Sequence, residues 1–67
     1  MARRQFRGDT RRYTVESDHP TLGFVVEPFP SARTAVVRAR LHEREGADVV
    51  VTGPRGSMIY TTEDGVL

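Results

Sequence analysis

The chain reads as an α+β domain of order ββαββ, a small antiparallel-rich sheet with one helix packed on one face. Three observations predict this. Apolar and polar residues alternate over residues 13–16 and again over 22–26, with turn-forming residues between them. One stretch from Ser31 to Gly46 carries apolar residues at helical spacing, with a capping serine before it and glycine after it. Beyond it lie Val49, Val50 and Val51, then Gly53-Pro54-Arg55-Gly56, then a second β-rich run from Met58 to Thr61.

In "RRYTVES", Tyr13 and Val15 share one strand face while Thr14 and Glu16 take the other. The stretch "DHPT" is a turn, since Asp18 and Pro20 both favour one. A turn over residues 18–21 sets Ser17 opposite Leu22, Val15 opposite Phe24 and Tyr13 opposite Val26. Aromatic and β-branched residues then meet on one face, as cross-strand pairs prefer. Pro28 and Pro30 have no N–H to donate, so the second strand is expected to end near Glu27.

The helix is predicted over residues 32–45, with Ser31 as N-cap and Gly46 just past its end. Thr34 stands where a capping box would place Glu or Gln. At 100° per residue, Ala32, Ala35, Val36, Ala39 and His42 share a face, and their small side chains allow close approach to a sheet. Val37 and Leu41 fall on the opposite side, among Arg33, Thr34 and Arg44. The second hairpin is expected to pair Val51 with Met58 and Val50 with Ile59 across a type I turn. The reading divides the chain into a basic flexible arm (1–10), the ββαββ domain (11–62) and a loose tail (63–67).

Residues 31–62 resemble the DUF2188-like domains, small bacterial proteins of unknown function. The likeness is carried by an Ala-rich helix rhythm in "TAVVRAR", the Gly-Ala step and valine strand of "REGADVVVTG", the turn "PRG" and the last strand "SMIYTT". It covers about half the chain. It implies the same element order and no activity, and the arginine arm is not part of its pattern.

Size bounds the function. A domain of 67 residues buries only ~60% of its unfolded-chain surface, and its core rarely supplies more than ~3–5 kcal/mol without a staple. With no cysteine, disulfides, thiolate metal sites and cysteine nucleophiles are excluded. Good packing, a partner or self-association must make up the difference. No apolar h-region follows the basic start, and no aliphatic run exceeds three residues, so neither an export signal nor a membrane span is expected and the reading is cytoplasmic.

No catalytic residue, metal site, cofactor or small-molecule substrate is assigned. His19 and His42 lack the serine, orienting acid and oxyanion site of a hydrolytic triad. His42-Glu43 begins an HExxH pattern, but Gly46 stands where the second histidine belongs. "GPRGS" lacks the lysine and following helix of a phosphate loop. Arg7-Gly8-Asp9 matches an adhesion tripeptide, but no export signal accompanies it and the charged arm accounts for it.

The net charge of +1 conceals an asymmetry. Residues 1–12 carry five arginines and one aspartate, a charge of +4; residues 13–67 carry five arginines and eight acids, a charge of −3. All ten basic residues are arginine, a usage that a GC-rich bacterial or phage genome produces without selection for particular contacts. Two function classes follow. The first is a non-enzymatic protein-interaction module, binding a protein partner or self-associating as a homodimer, through the sheet face or edge that the helix leaves uncovered and through Val37, Leu41, Met58 and Tyr60. The alternative is a nucleic-acid-binding accessory protein without strong sequence specificity. Arg3, Arg4, Arg7, Arg11 and Arg12 would meet phosphates and Phe6 would stack on a base. No helix is available to read a groove.

Overall fold

A computed structural model describes residues 12–67. Arg3, Arg4, Phe6, Arg7 and Arg11 of the expected arm lie outside the described residues. The elements run β1 (Tyr13–His19), β2 (Gly23–Phe29), α1 (Ala32–Arg44), β3 (Asp48–Thr52), β4 (Met58–Thr61) and β5 (Gly65–Val66). They form one antiparallel sheet of order β2-β1-β3-β4-β5 with the helix on one face. This is the α+β, ββαββ architecture that the alternation and the helical stretch predict, with a short fifth strand added. Both β2 and β3 pair antiparallel with β1, so they run parallel to each other, and the helix is the crossover between them.

Alternation along β1 decides which face is packed. Val15 and Ser17 are fully buried, His19 is nearly so and Tyr13 packs at the edge of the core. Glu16 and Asp18 therefore point away from the helix. Val49 and Val51 of β3 and Tyr60 of β4 join Val15 on the packed face, and Ala35 and Ala39 meet them from the helix. The helix starts and stops as its sequence predicts. The amide of Thr34 donates to the Ser31 hydroxyl. At the other end Gly46 N–H donates to the Glu43 carbonyl and Ala47 N–H to that of His42, with Gly46 at φ +98°, the Schellman pattern that glycine permits.

The first hairpin differs from its expected register. Ser17 pairs with Val25, Val15 with Glu27 and Tyr13 with Phe29, and the strands close at His19 opposite Gly23. The cause is His19. Its Nδ1 accepts the backbone N–H of Thr21 at 3.1 Å and of Leu22 at 3.2 Å, which draws Pro20, Thr21 and Leu22 into the loop. The resulting slip of three residues is odd, so it turns the whole strand over. Val25, Glu27 and Phe29 face the helix side, half-buried, while Leu22, Phe24 and Val26 are exposed. The strand continues through Pro28 to Phe29, which an edge strand tolerates because one of its sides has no ladder to complete.

The second hairpin also shifts. Val51 pairs with Tyr60 and Val50 with Thr61, then an irregularity sets Thr52 opposite Met58. The bulge inserts Ile59 as an extra residue, and Ile59 packs against the core beside Tyr60. Arg55 has φ +70°, as the third residue of a type II turn requires, where the sequence suggests type I. Residues 63–67 are not a loose tail. Gly65 and Val66 pair with Thr61 and Tyr60, and Leu67 N–H donates to the Ile59 carbonyl at 2.8 Å.

The register of β2 has a direct test in its two phenylalanines, Phe24 and Phe29, which face opposite sides of the sheet. Phe29→Ala, which removes a ring packed on the core, should cost about 2 kcal/mol, roughly half the fully buried value. Phe24→Ala, on the exposed side, should stay within about 0.5 kcal/mol. Urea unfolding of the two variants measures both.

Candidate functional site

Two regions carry the polar and exposed groups from which a site could be built: the polar layer beneath the helix C-terminal half, and the sheet face that the helix leaves open. In the polar layer, β1 supplies His19, β2 supplies Glu27, and α1 with its cap supplies His42 and Glu45. His19 and His42 meet edge to face, with ring centroids 5.6 Å apart. His19 Nε2 lies 2.8 Å from Glu45 Oε1, and His42 Nε2 lies 3.2 Å from Glu27 Oε1. The Arg38 Nε approaches the same Glu27 oxygen at 3.7 Å.

The network assigns the His19 tautomer. Nδ1 accepts two backbone N–H groups, so the ring proton sits on Nε2 and is donated to Glu45. Bonding to His19 is the main reason the Glu45 carboxyl is held below its ordinary value of 4.5. His19, His42 and Glu45 bring one potential ligand atom each within 4.8 Å of one another. Even so, His19 has no lone pair to spare. A cation on Nε2 would push the proton to Nδ1 and set it against two backbone N–H donors. The trio is a clamp holding the helix end to the first hairpin. Within it, His42 Nδ1 is buried without a hydrogen-bond partner, as is Ser17 Oγ nearby on β1.

Tyr60, expected at an interface, is instead 5% exposed. Its hydroxyl donates to Glu43 Oε1 at 2.7 Å, and Arg40 lies 5.8 Å from its ring centroid. Burial, and then the bond to Glu43, raise the phenol above its ordinary value of 10.0. The residue pattern leaves both faces of the second hairpin apolar near its turn, so it did not show that the Val49, Val51 and Tyr60 face is the one that meets the helix. The other expected interface residues, Val37, Leu41 and Met58, are exposed.

The open face of the sheet was expected as uncovered surface, but sequence reasoning missed which residues form it. Its rows follow from the register: Phe24 beside Asp18 beside Asp48; Val26 beside Glu16 beside Val50 beside Thr61; Pro28 beside Thr14 beside Thr52. Asp18 and Asp48 are directly opposed across two strands, a like-charge pairing that is unfavourable in a sheet. Among the described residues, the side chains of Glu16, Asp18 and Asp48 have no hydrogen-bonding or ion-pair partner. Phe24, in the row with Asp18, is 66% exposed, and Leu22 in the adjoining loop is 62% exposed. The signal was present as the spacing of Glu16 and Asp18, but the expected register put Phe24 and Val26 on the packed face.

No protein-family model, no curated protein and no solved structure matches this chain. No helix among the described residues is long and apolar enough to cross a membrane.

Two titrations should bracket the pH range of stability. The lowered Glu45 pKa contributes stability that is present above about pH 4.5 and lost as pH falls through the folded value. Glu45→Gln should therefore flatten the acid limb. The raised Tyr60 pKa contributes stability that is present below about pH 10 and lost as pH rises towards the folded value. Tyr60→Phe should flatten the alkaline limb. Thermal unfolding followed by circular dichroism across pH measures each.

Proposed function

We propose that this chain is a non-enzymatic protein-interaction module that self-associates, most simply as a homodimer. The observation that supports this reading is apolar surface left uncovered on both sides of a very small domain. On the helix, Val37 is 63% and Leu41 42% exposed, four residues apart on the side away from the sheet. Across the molecule, Leu22, Phe24 and Val26 are exposed beside the open sheet face. The core itself is modest: its largest fully buried side chains are three valines and a serine. A domain so constructed gains from covering its remaining apolar surface. Met58, also exposed, lies at the edge of the available surface, and Tyr60 belongs to the core and takes no part.

The alternative is nucleic-acid binding led by the arginine arm, favoured by the +4 charge of residues 1–12. An arm neutralising about five phosphates would give a log–log salt slope near −4 to −5 on duplex DNA. The carboxylates of the open sheet face would repel the same phosphates, which restricts such binding to the arm.

Light scattering over a range of concentrations tests self-association. Mass should rise towards the dimer, and Leu41→Glu should return the chain to monomer with its circular dichroism unchanged. A monomer at every concentration would overturn the reading. An oligonucleotide titration at low salt separates the alternative, which requires binding there and its loss when Arg3, Arg4 and Arg7 are replaced by glutamine.

A further inference from the structure

We propose that the open face of the sheet is the docking surface for the chain's own N-terminal segment, residues 1–11, bound back onto the same molecule. The inference does not rest on self-association, and the two stand or fall on different measurements.

The face has a definite chemistry. Glu16, Asp18 and Asp48 project from its two central strands, unpartnered among the described residues. Phe24 and Val26 flank them one strand over, opposite Asp18 and Glu16 respectively. An occupant must therefore be basic and must offer apolar contact. A second copy packed face to face fails on charge, since it would bring three more carboxylates against these three. The directly opposed Asp18 and Asp48 are unfavourable in the bare sheet, and a guanidinium placed over them turns that repulsion into a pair of charge-assisted hydrogen bonds.

Residues 1–11 meet each requirement. They carry four arginines, Arg3, Arg4, Arg7 and Arg11, with Phe6 among them. They join the domain next to Arg12 and Tyr13, at the start of β1, which is an interior strand of the sheet. The segment thus enters at the Thr14 end of the open face, and Asp18 lies at the other end of the same strand. Five residues of strand span about 17 Å, whereas eleven extended residues reach roughly 36–40 Å. The segment can turn back and cover the face with length to spare. Tethering supplies a millimolar-range effective concentration, so weak surface ion pairs suffice to populate the docked arrangement. Phe6 would then cover the exposed side of Phe24. The same docking would hold the arginines away from phosphate ligands and make any nucleic-acid binding a competition with the sheet.

The chain has no cysteine, so Ala2→Cys gives a single attachment point for a nitroxide in the full-length protein. At about 0.01 M salt the Debye length is ~30 Å, and at about 1 M it is ~3 Å. In the low-salt condition the nitroxide should broaden the amide resonances of Glu16, Asp18, Phe24 and Asp48 more than those of Val37 and Leu41. This difference should vanish at high salt, and at low salt in the Asp18→Asn/Asp48→Asn chain, both sites being exposed. Broadening that is equal on both faces, or indifferent to salt and to these substitutions, overturns the proposal. Mixing spin-labelled chains without isotope and isotope-labelled chains without spin label tests the tether: no broadening supports docking within one molecule, and broadening as strong as in the singly labelled chain overturns it.

Discussion

The helix lies on the sheet through alanine, and most of the structure follows from that close approach. Ala35 and Ala39 are fully buried against Val15, Val49 and Val51. With no large side chain to hold the layers apart, backbone and short side chains pack directly. This brings the second half of the helix down onto β1 and β2, where His42 reaches Glu27 and the helix cap reaches His19. The same approach limits the core. Alanines and valines bury little apolar area each, so the domain closes one side of its sheet with few atoms and leaves the other side bare.

His19 links this packing to the surface. Its Nδ1 gathers two amides of the hairpin loop, and its Nε2 proton goes to Glu45 at the end of the helix. One side chain therefore sets the length of the loop, the register of β2 and the position of the helix terminus. Because a strand's two faces exchange with every odd slip, the loop length also decides that Phe24 and Val26 face outwards beside Glu16 and Asp18. The exposed apolar and acidic face is a consequence of a buried histidine on the other side of the same strand.

Much of this architecture was legible in the residues. Helix limits were, because Ser31 and Gly46 act through local backbone geometry. The facing of Tyr13 and Val15 was, because alternation on an interior strand leaves little choice. What was not legible depended on side chains acting at a distance. Pro20 marked the turn correctly, but Asp18 lies in β1, and neither residue could reveal that His19 would set the turn later, over residues 20–22. Tyr60 read as available to a partner because both faces of the second hairpin are apolar near its turn, and the residues alone do not say which of them meets the helix. Residues 63–67 looked loose, yet Gly65 at φ +74° turns the chain back onto β4. An uncovered sheet face was expected, but its composition was hidden for the same reason as the register: its carboxylates were visible, and the aromatic beside them was assigned to the core.

The central claim is that β2 lies with Val25, Glu27 and Phe29 towards the helix, leaving Phe24 and Val26 on an open acidic face. Cross-strand nuclear Overhauser contacts test it most directly, since they report which residues of β1 and β2 stand opposite each other. The account predicts backbone contacts between Ser17 and Val25 and between Val15 and Glu27. Contacts between Val15 and Phe24 and between Tyr13 and Val26 would contradict it, because they would carry the apolar residues to the packed side and remove the surface on which the functional argument depends.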